Sequence, residues 1–134
     1  MKEGKIMPYA TILLKQTKQH DFKPMLCQIT ADVIAKVLQC PKDTIQINIQ
    51  EVDAKHYGTG GILECNNGTG HEEACCAMFA YLPICTLETK QIIGKEICAS
   101  LNEVMRMIPD IHLYTRFSFH DLPEEAYSVG GQIL

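Results

Sequence analysis

Residues 45–61, IQINIQEVDAKHYGTGG, and residues 115–131, TRFSFHDLPEEAYSVGG, decide the fold because they are two versions of one segment. In each, a run that alternates between two kinds of side chain leads to a tyrosine and then to a Gly-Gly pair, and the two pairs lie 70 residues apart. Alternation is typical of a β-strand with one buried face. A segment that returns at a fixed interval predicts a duplicated structural unit.

The first unit extends back from its strand through a helix to an earlier strand. Residues 9–15, YATILLK, predict a short strand. From about residue 21 to 39 apolar residues recur at helical spacing, with Pro24 in the first turn and Pro41 just beyond the end. The order is therefore strand, helix, strand.

The second unit repeats this order. Residues 80–84 predict a short strand, and apolar residues from Ile92 to Ile108 predict a helix that Pro109 ends. The intervening residues, 64–77, are polar and glycine-containing at their start and predict a linker between the repeats.

Two β-α-β units related by a pseudo-twofold axis predict an α+β fold, with a four-stranded mixed sheet and two helices on one face. We expect one domain over residues 1–134: an extension at 1–7, a first repeat at 8–63, the linker at 64–77 and a diverged repeat at 78–134. The second face of the sheet stays uncovered, which predicts association with further copies of the chain.

The composition limits the possible partners. The chain has 134 residues, 46% of them apolar, and a net charge of −4 without a basic cluster, so we expect no nucleic acid. No apolar run is long enough for a membrane span, and no secretory signal is visible, so we expect a cytoplasmic protein. The seven cysteines are then predicted to be reduced thiols, with Cys27 and Cys98 buried in the helices.

A metal site is the weaker interpretation of the linker. Cys65, His71, Cys75 and Cys76 offer sulfur and imidazole, but two of the cysteines are adjacent and the others lack the spacing of zinc ligands. We predict no metal and no other cofactor.

Three segments carry a resemblance to a known family. Met7-Pro8-Tyr9-Ala10-Thr11-Ile12, residues 40–47 (CPKDTIQI) and residues 56–61 (HYGTGG) resemble, in order and spacing, the 4-oxalocrotonate tautomerase family. The likeness covers the first half of the chain, and the second half resembles the diverged copy of fused members of the tautomerase superfamily. The resemblance implies six β-α-β units in one assembly, which for a fused chain means a homotrimer.

The resemblance also implies a cofactor-independent tautomerase or isomerase that acts on a small enol or keto acid. The family's base is an amino-terminal proline, which Pro8 matches. An unprotonated α-amine can take a proton from the carbon beside a carbonyl and return it elsewhere. Lys18 and Arg116 would orient the substrate carboxylate or stabilise the enolate, and Tyr57 would line the pocket.

The sequence departs from the family pattern in ways that bear on activity. Pro8 is not residue 1, so its nitrogen in this chain is an amide without a basic lone pair. The family has arginines at the positions of Lys18 and Gln46, although Arg116 corresponds to Gln46 at the 70-residue interval. The same interval places Met78 at the proline position of the second repeat, which predicts that this repeat has no base.

Two interpretations of residues 1–7 follow. If they remain on the protein, Pro8 is blocked, and the chain is a non-catalytic oligomeric binding protein that keeps the fold. If translation starts at Met7, removal of that methionine exposes Pro8, and the chain is an enzyme. Relatives in the superfamily include dehalogenases and a decarboxylase, so keto–enol isomerisation is one of several chemistries that the resemblance allows.

Overall fold

The computed structural model describes most of the chain, namely residues 7–15, 17, 20–63, 73–108, 111–123, 128–129 and 132–133. The long strands are β1 (Tyr9–Lys15), β2 (Gln46–Val52), β5 (Glu73–Pro83) and β6 (His112–Leu122). The helices are α1 (Lys23–Leu38) and α2 (Leu87–Met105), with short 3-10 turns at Lys42–Thr44 and Ala54–His56. Two-residue strands form two hairpins, β3 (Gly58–Thr59) with β4 (Ile62–Leu63) and β7 (Ser128–Val129) with β8 (Gln132–Ile133).

The four long strands form one mixed sheet in the order β2-β1-β5-β6. β1 runs parallel to β2 and β5 parallel to β6, whereas β1 and β5 are antiparallel. Each repeat therefore contributes a parallel pair, and the two repeats meet at the central strands. The predicted α+β fold with a four-stranded mixed sheet is confirmed.

A single apolar core holds both helices against one face of this sheet. Alternate residues of the central strands are buried, and so is one stripe of each helix. The Thr30 hydroxyl, fully buried in α1, donates a hydrogen bond to the Met78 sulfur of β5 at 3.8 Å, so the one polar group in this stripe is satisfied. The core residues of these elements are Ala10, Ile12 and Leu14 (β1), Cys76, Met78, Ala80 and Leu82 (β5), Leu26, Val33 and Ile34 (α1) and Ile93, Ile97 and Leu101 (α2).

Local signals explain where the helices begin and end. Asp21 accepts a hydrogen bond from the backbone N–H of Lys23 at 3.1 Å, and Gln39 ends α1 in the left-handed region at φ 54°. The Thr86 hydroxyl caps α2 by accepting from the backbone N–H of Thr89 at 3.1 Å. Pro109, which the sequence predicts as the end of α2, lies outside the described residues.

The first Gly-Gly pair forms the turn of the β3–β4 hairpin. Gly60 and Gly61 have φ values of +62° and +83°, a conformation that a two-residue hairpin turn requires and that glycine adopts without strain. The second pair, at 130–131, lies outside the described residues.

β5 begins earlier than the sequence predicts. It starts at Glu73, so residues 73–77, which we assigned to the linker, belong to the strand. The prediction was wrong there because Ala-Cys-Cys-Ala carries no β-branched or large apolar residue. Cys76 is nevertheless buried in the same alternation as Met78, Ala80 and Leu82.

The prediction of buried helical thiols was also wrong. Cys27 and Cys98 are exposed, because they lie outside the buried stripes of α1 and α2. Cys76 is the buried thiol of the described cysteines, and Cys65 lies outside the described residues.

Equivalent ion pairs tie each helix to its own repeat. Lys23 at the start of α1 pairs with Glu51 near the end of β2, and Lys90 in the first turn of α2 pairs with Asp121 near the end of β6, both at 2.8 Å. Lysines are unfavourable at helix N-termini, and the strand carboxylates offset their charge. The pseudo-symmetry thus extends from the backbone to these side chains. In the part of the chain that the structure describes, neither helix is long and apolar enough to cross a membrane.

We predict that Ile97→Ala lowers the free energy of unfolding by about 2–5 kcal/mol, because Ile97 is fully buried in α2. Ile92→Ala, on the same helix but 40% exposed, should cost roughly 1 kcal/mol or less. Urea unfolding followed by circular dichroism measures both. Equal losses would contradict the orientation of α2.

Candidate active site

Pro8 lies immediately before the central strand β1, with its side chain less than 2% exposed. Its carbonyl oxygen accepts a hydrogen bond from the backbone N–H of Gln46 at 3.3 Å. The ring is therefore anchored in the core and the backbone is tied to β2. The backbone nitrogen of Pro8 therefore has a fixed position at one end of the sheet.

A row of stacked rings begins at the next residue. Tyr9 stacks on Tyr81 with ring centroids 4.6 Å apart, and Tyr81 stacks on His120 at 4.8 Å. Ser118 and the His120 Nε2 are 2.7 Å apart and share a hydrogen bond. We call this row the aromatic row; it crosses β1, β5 and β6 on the sheet face away from the helices.

Sequence reasoning missed the aromatic row as a feature of the site. The alternation in residues 112–120 predicts that His120 lies on the solvent-exposed face of its strand. Which residue of β5 it contacts depends on the register between the two strands. Tyr81 is paired with Tyr9 on one side and with His120 on the other, and no pattern in a single strand contains that information.

Tyr57 is not close to Pro8 in the same chain. It follows the 3-10 turn Ala54–His56 after β2, and it is half-buried. Because β1 and β2 are parallel and Pro8 precedes β1, the last residue of β2 lies at the opposite end of the strands from Pro8. Lys18, the predicted cation that follows β1, lies outside the described residues.

Arg116 is also distant from Pro8 in its own chain. It is exposed on β6 and pairs across the sheet with Ala77, which pairs with Leu13. That places it five residues along and two strands across from Pro8, about 20 Å away at ordinary strand spacings. One chain thus separates Pro8 from Tyr57 and Arg116, and any site that contains all three takes them from more than one chain.

The strand register also identifies the counterpart of Pro8 in the second repeat. Gln46 pairs with Tyr9, and its equivalent Arg116 pairs with Ala77, so Cys76 rather than Met78 corresponds to Pro8. The 70-residue interval was wrong here because Cys76 and Arg116 are 40 positions apart in the sequence, whereas Pro8 and Gln46 are 38 apart. Cys76 is 4% exposed, and burial raises the pKa of its thiol. A protonated, buried thiol cannot act as a base.

The second repeat instead supplies charged groups to the end of the sheet where Pro8 lies. The Lys90–Asp121 pair lies there, because β5 and β6 end beside the start of β1. Cys85 is close to both charges, and burial raises the pKa of its thiol. Among the described residues, no group of three or more histidines, cysteines or carboxylates is arranged to hold a metal ion.

A comparison with known proteins identifies the family to which the chain belongs. No family model matches the chain. A protein named "Probable tautomerase" from Listeria innocua serovar 6a is 34% identical over 56 residues, which are 42% of this chain and 92% of that protein. The chain therefore belongs to the 4-oxalocrotonate tautomerase family of the tautomerase superfamily, as a fused member with two repeats.

Solved structures agree in fold over nearly the whole chain. The wild-type F6 fused 4-OT asymmetric trimer has a TM-score of 0.64 at 18% identity and covers 93% of this chain and 94% of its own. A 5-carboxymethyl-2-hydroxymuconate delta-isomerase has a TM-score of 0.68 at 14% identity and covers 96% of this chain and 90% of its own. Together with the curated relative, these matches support an enzyme of the tautomerase or isomerase kind.

We predict that N-ethylmaleimide modifies Cys27 and Cys98 in the native protein well before Cys76. The Cys27 and Cys98 thiols are exposed, whereas the Cys76 thiol is buried in the core at 4% exposure. Burial raises the pKa of Cys98 as well as that of Cys76, so access of the reagent to the sulfur determines the order. Peptide mapping by mass spectrometry after timed quenching measures the order. Early modification of Cys76, with the protein still folded, would contradict its position in the core.

Proposed function

We propose that this chain is a cofactor-independent tautomerase or isomerase that uses Pro8, exposed as the amino-terminal residue, as the general base on a small enol or keto acid. The observation that carries the proposal is the anchored position of Pro8 at the start of the central strand, with a buried ring and a carbonyl bonded to β2. This is the position at which the family resemblance requires the base.

The chemistry needs a free amine. An amide nitrogen has no basic lone pair, whereas a secondary amine does, and surroundings that exclude water favour its neutral form. The neutral amine takes a proton from the enol oxygen or from the carbon beside the carbonyl, and it returns that proton to the other position. Charge then develops on the substrate oxygen, where a cation lowers the barrier.

The remaining groups of the proposed site come from other copies of the chain. We propose a cytoplasmic homotrimer in which a neighbouring chain supplies Tyr57, Arg116 and Lys18 to Pro8, since one chain keeps Tyr57 and Arg116 away from it. The hairpin after Tyr57 supports this arrangement, because Ile62 and Leu63 are 60% and 42% exposed. The fused 4-OT matched in fold is itself a trimer.

The first test compares the chain that begins at Pro8 with the chain that begins at Met1, each checked by intact mass. We expect ketonisation of phenylenolpyruvate by the Pro8 form to be at least about 100-fold faster, because only that form carries a basic nitrogen. Ultraviolet absorbance follows the loss of the enol. Pro8→Ala in the chain from Met1 is the matched control and should not differ from its parent.

Two outcomes contradict the proposal in different ways. Equal activity of the two forms would exclude the proline mechanism while leaving an enzyme. No activity in either form would favour the non-catalytic oligomeric binding protein, in which Met7 keeps Pro8 blocked as an amide.

The second test asks whether the site is shared between chains. We expect the Pro8-initiated Arg116→Gln chain, and a chain in which Pro8 is blocked by Met7, each to be inactive alone. Mixed and reassembled at equal amounts, they should recover activity in about a quarter of the sites, because a free Pro8 then meets an intact Arg116 from its neighbour. A mixture as inactive as its components would show that Arg116 does not serve a neighbour's proline.

A further inference from the structure

A groove lies between α2 and β6, a strand at the edge of the four-stranded sheet. Its volume is about 540 Å³, which is within the range of small-molecule binding sites. One wall is a stripe of small α2 residues, Gly94, Cys98 and Ala99, and the floor is the ring of Phe117 on the helix side of β6. The groove, here called the α2–β6 groove, therefore offers a mostly apolar surface with an aromatic floor.

Gly94 leaves room in this groove that the fold does not require. A Cβ atom at this position would lie 3.5 Å from two carbons of the Phe119 ring, which is an ordinary van der Waals contact. Alanine would therefore fit, and alanine is more stable than glycine in the interior of a helix. Packing thus does not explain the glycine, whereas a ligand in the groove would use the space.

A cation borders the groove. Lys95 lines it with an exposed side chain and makes no ion pair with any residue that the structure describes. The residues three and four positions away along α2 are Gln91, Ile92, Cys98 and Ala99, and none of them is acidic. An apolar groove beside one unpaired ammonium group is complementary to a ligand with an apolar ring and a single negative charge.

We propose that the α2–β6 groove binds a small aromatic carboxylic acid, with its ring on Phe117 and its carboxylate beside Lys95. The ring fills the space above the small α2 residues, where aromatic contact is favourable. The side-chain amides of Gln91 and Asn102 also line the groove and can donate hydrogen bonds to the carboxylate or to a polar group on the ring.

This groove is separate from the site built around Pro8. Phe117 pairs with Met78, and Met78 pairs with Ile12. The groove is therefore two strands across and four residues along from Pro8, about 16 Å away at ordinary strand spacings. Binding there is independent of whether Pro8 acts as a base.

The Cys98 thiol makes occupancy of the groove measurable. Cys98 is exposed, so N-ethylmaleimide reaches its sulfur when the groove is empty, whereas a ligand on Phe117 would cover it. Cys27 is exposed on α1 and does not line the groove, so it is the control within the same molecule.

The experiment uses the whole chain from Met1, in which Pro8 is blocked, and 2-naphthoate as the probe. Timed N-ethylmaleimide labelling with peptide mapping gives the modification rate of each thiol across a naphthoate titration. We expect a dissociation constant below about 1 mM, and at ten times that constant Cys98 should react about tenfold more slowly while Cys27 is unaffected. 2-Naphthylmethanol, which lacks the charge, should bind about threefold more weakly, and acetate, which lacks the ring, should give no protection.

Two variants separate binding from stability. Gly94→Ala should melt a few degrees higher than the parent by circular dichroism, yet bind naphthoate at least about threefold more weakly because its methyl group narrows the groove. Lys95→Gln should bind naphthoate only as well as it binds 2-naphthylmethanol. The matched control is Lys36→Gln: Lys36 is an exposed helical lysine that pairs with Glu96, and its loss should leave naphthoate binding unchanged.

Several results would overturn the proposal. Equal protection of Cys98 and Cys27, no protection of Cys98, or full protection in both Gly94→Ala and Lys95→Gln would each show that naphthoate does not occupy the groove as described. A Gly94→Ala protein that melts below the parent would show that packing requires the glycine. A Cys98 that resists N-ethylmaleimide while Cys27 reacts would show that protein already covers the groove.

Discussion

The antiparallel pairing of β1 with β5 is the interaction on which the rest of the structure depends. Each β-α-β unit alone has a two-stranded sheet, which leaves one edge of its inner strand unpaired. Joining the inner strands in register, with Ala10 opposite Ala80, completes the hydrogen bonds of both and lets one core form under two helices. The two repeats form one fold because their central strands are paired.

The antiparallel direction of the β1–β5 pairing determines which residues lie at the same end of the sheet. Because the central strands of the two repeats run in opposite directions, the start of β1 lies beside the end of β5, and the ends of β1 and β2 lie at the opposite end of the sheet. Pro8 therefore shares its end of the sheet with Lys90 and Asp121 of the second repeat, and not with Tyr57 of its own. Among the described residues, the charged side chains at this end of the sheet thus come from the second repeat.

Much of this fold could be predicted from the sequence, and the errors have a common cause. Alternation and helical spacing reveal which face of an element is buried, and the returning Gly-Gly pair reveals the duplication; both are properties of one segment at a time. The register between two strands is a property of both segments together, so the pattern of one segment does not reveal it. The 70-residue interval holds for Gln46 and Arg116 but fails by two residues at Pro8, whose counterpart is Cys76, because α2 is longer than α1 and β6 begins four residues before Arg116. The aromatic row and the distance from Pro8 to Arg116 also depend on the register between strands, so they could not be predicted from the sequence.

Duplication explains how the departures from the family pattern can coexist with a working site. In the first repeat Pro8 is kept and the cation beside it is replaced by Gln46; in the second, Arg116 is kept and the proline position holds the buried Cys76. A single-repeat protein that lost either group would lose it from every site. A fused chain can lose one from each half, provided that assembly brings the remaining halves together.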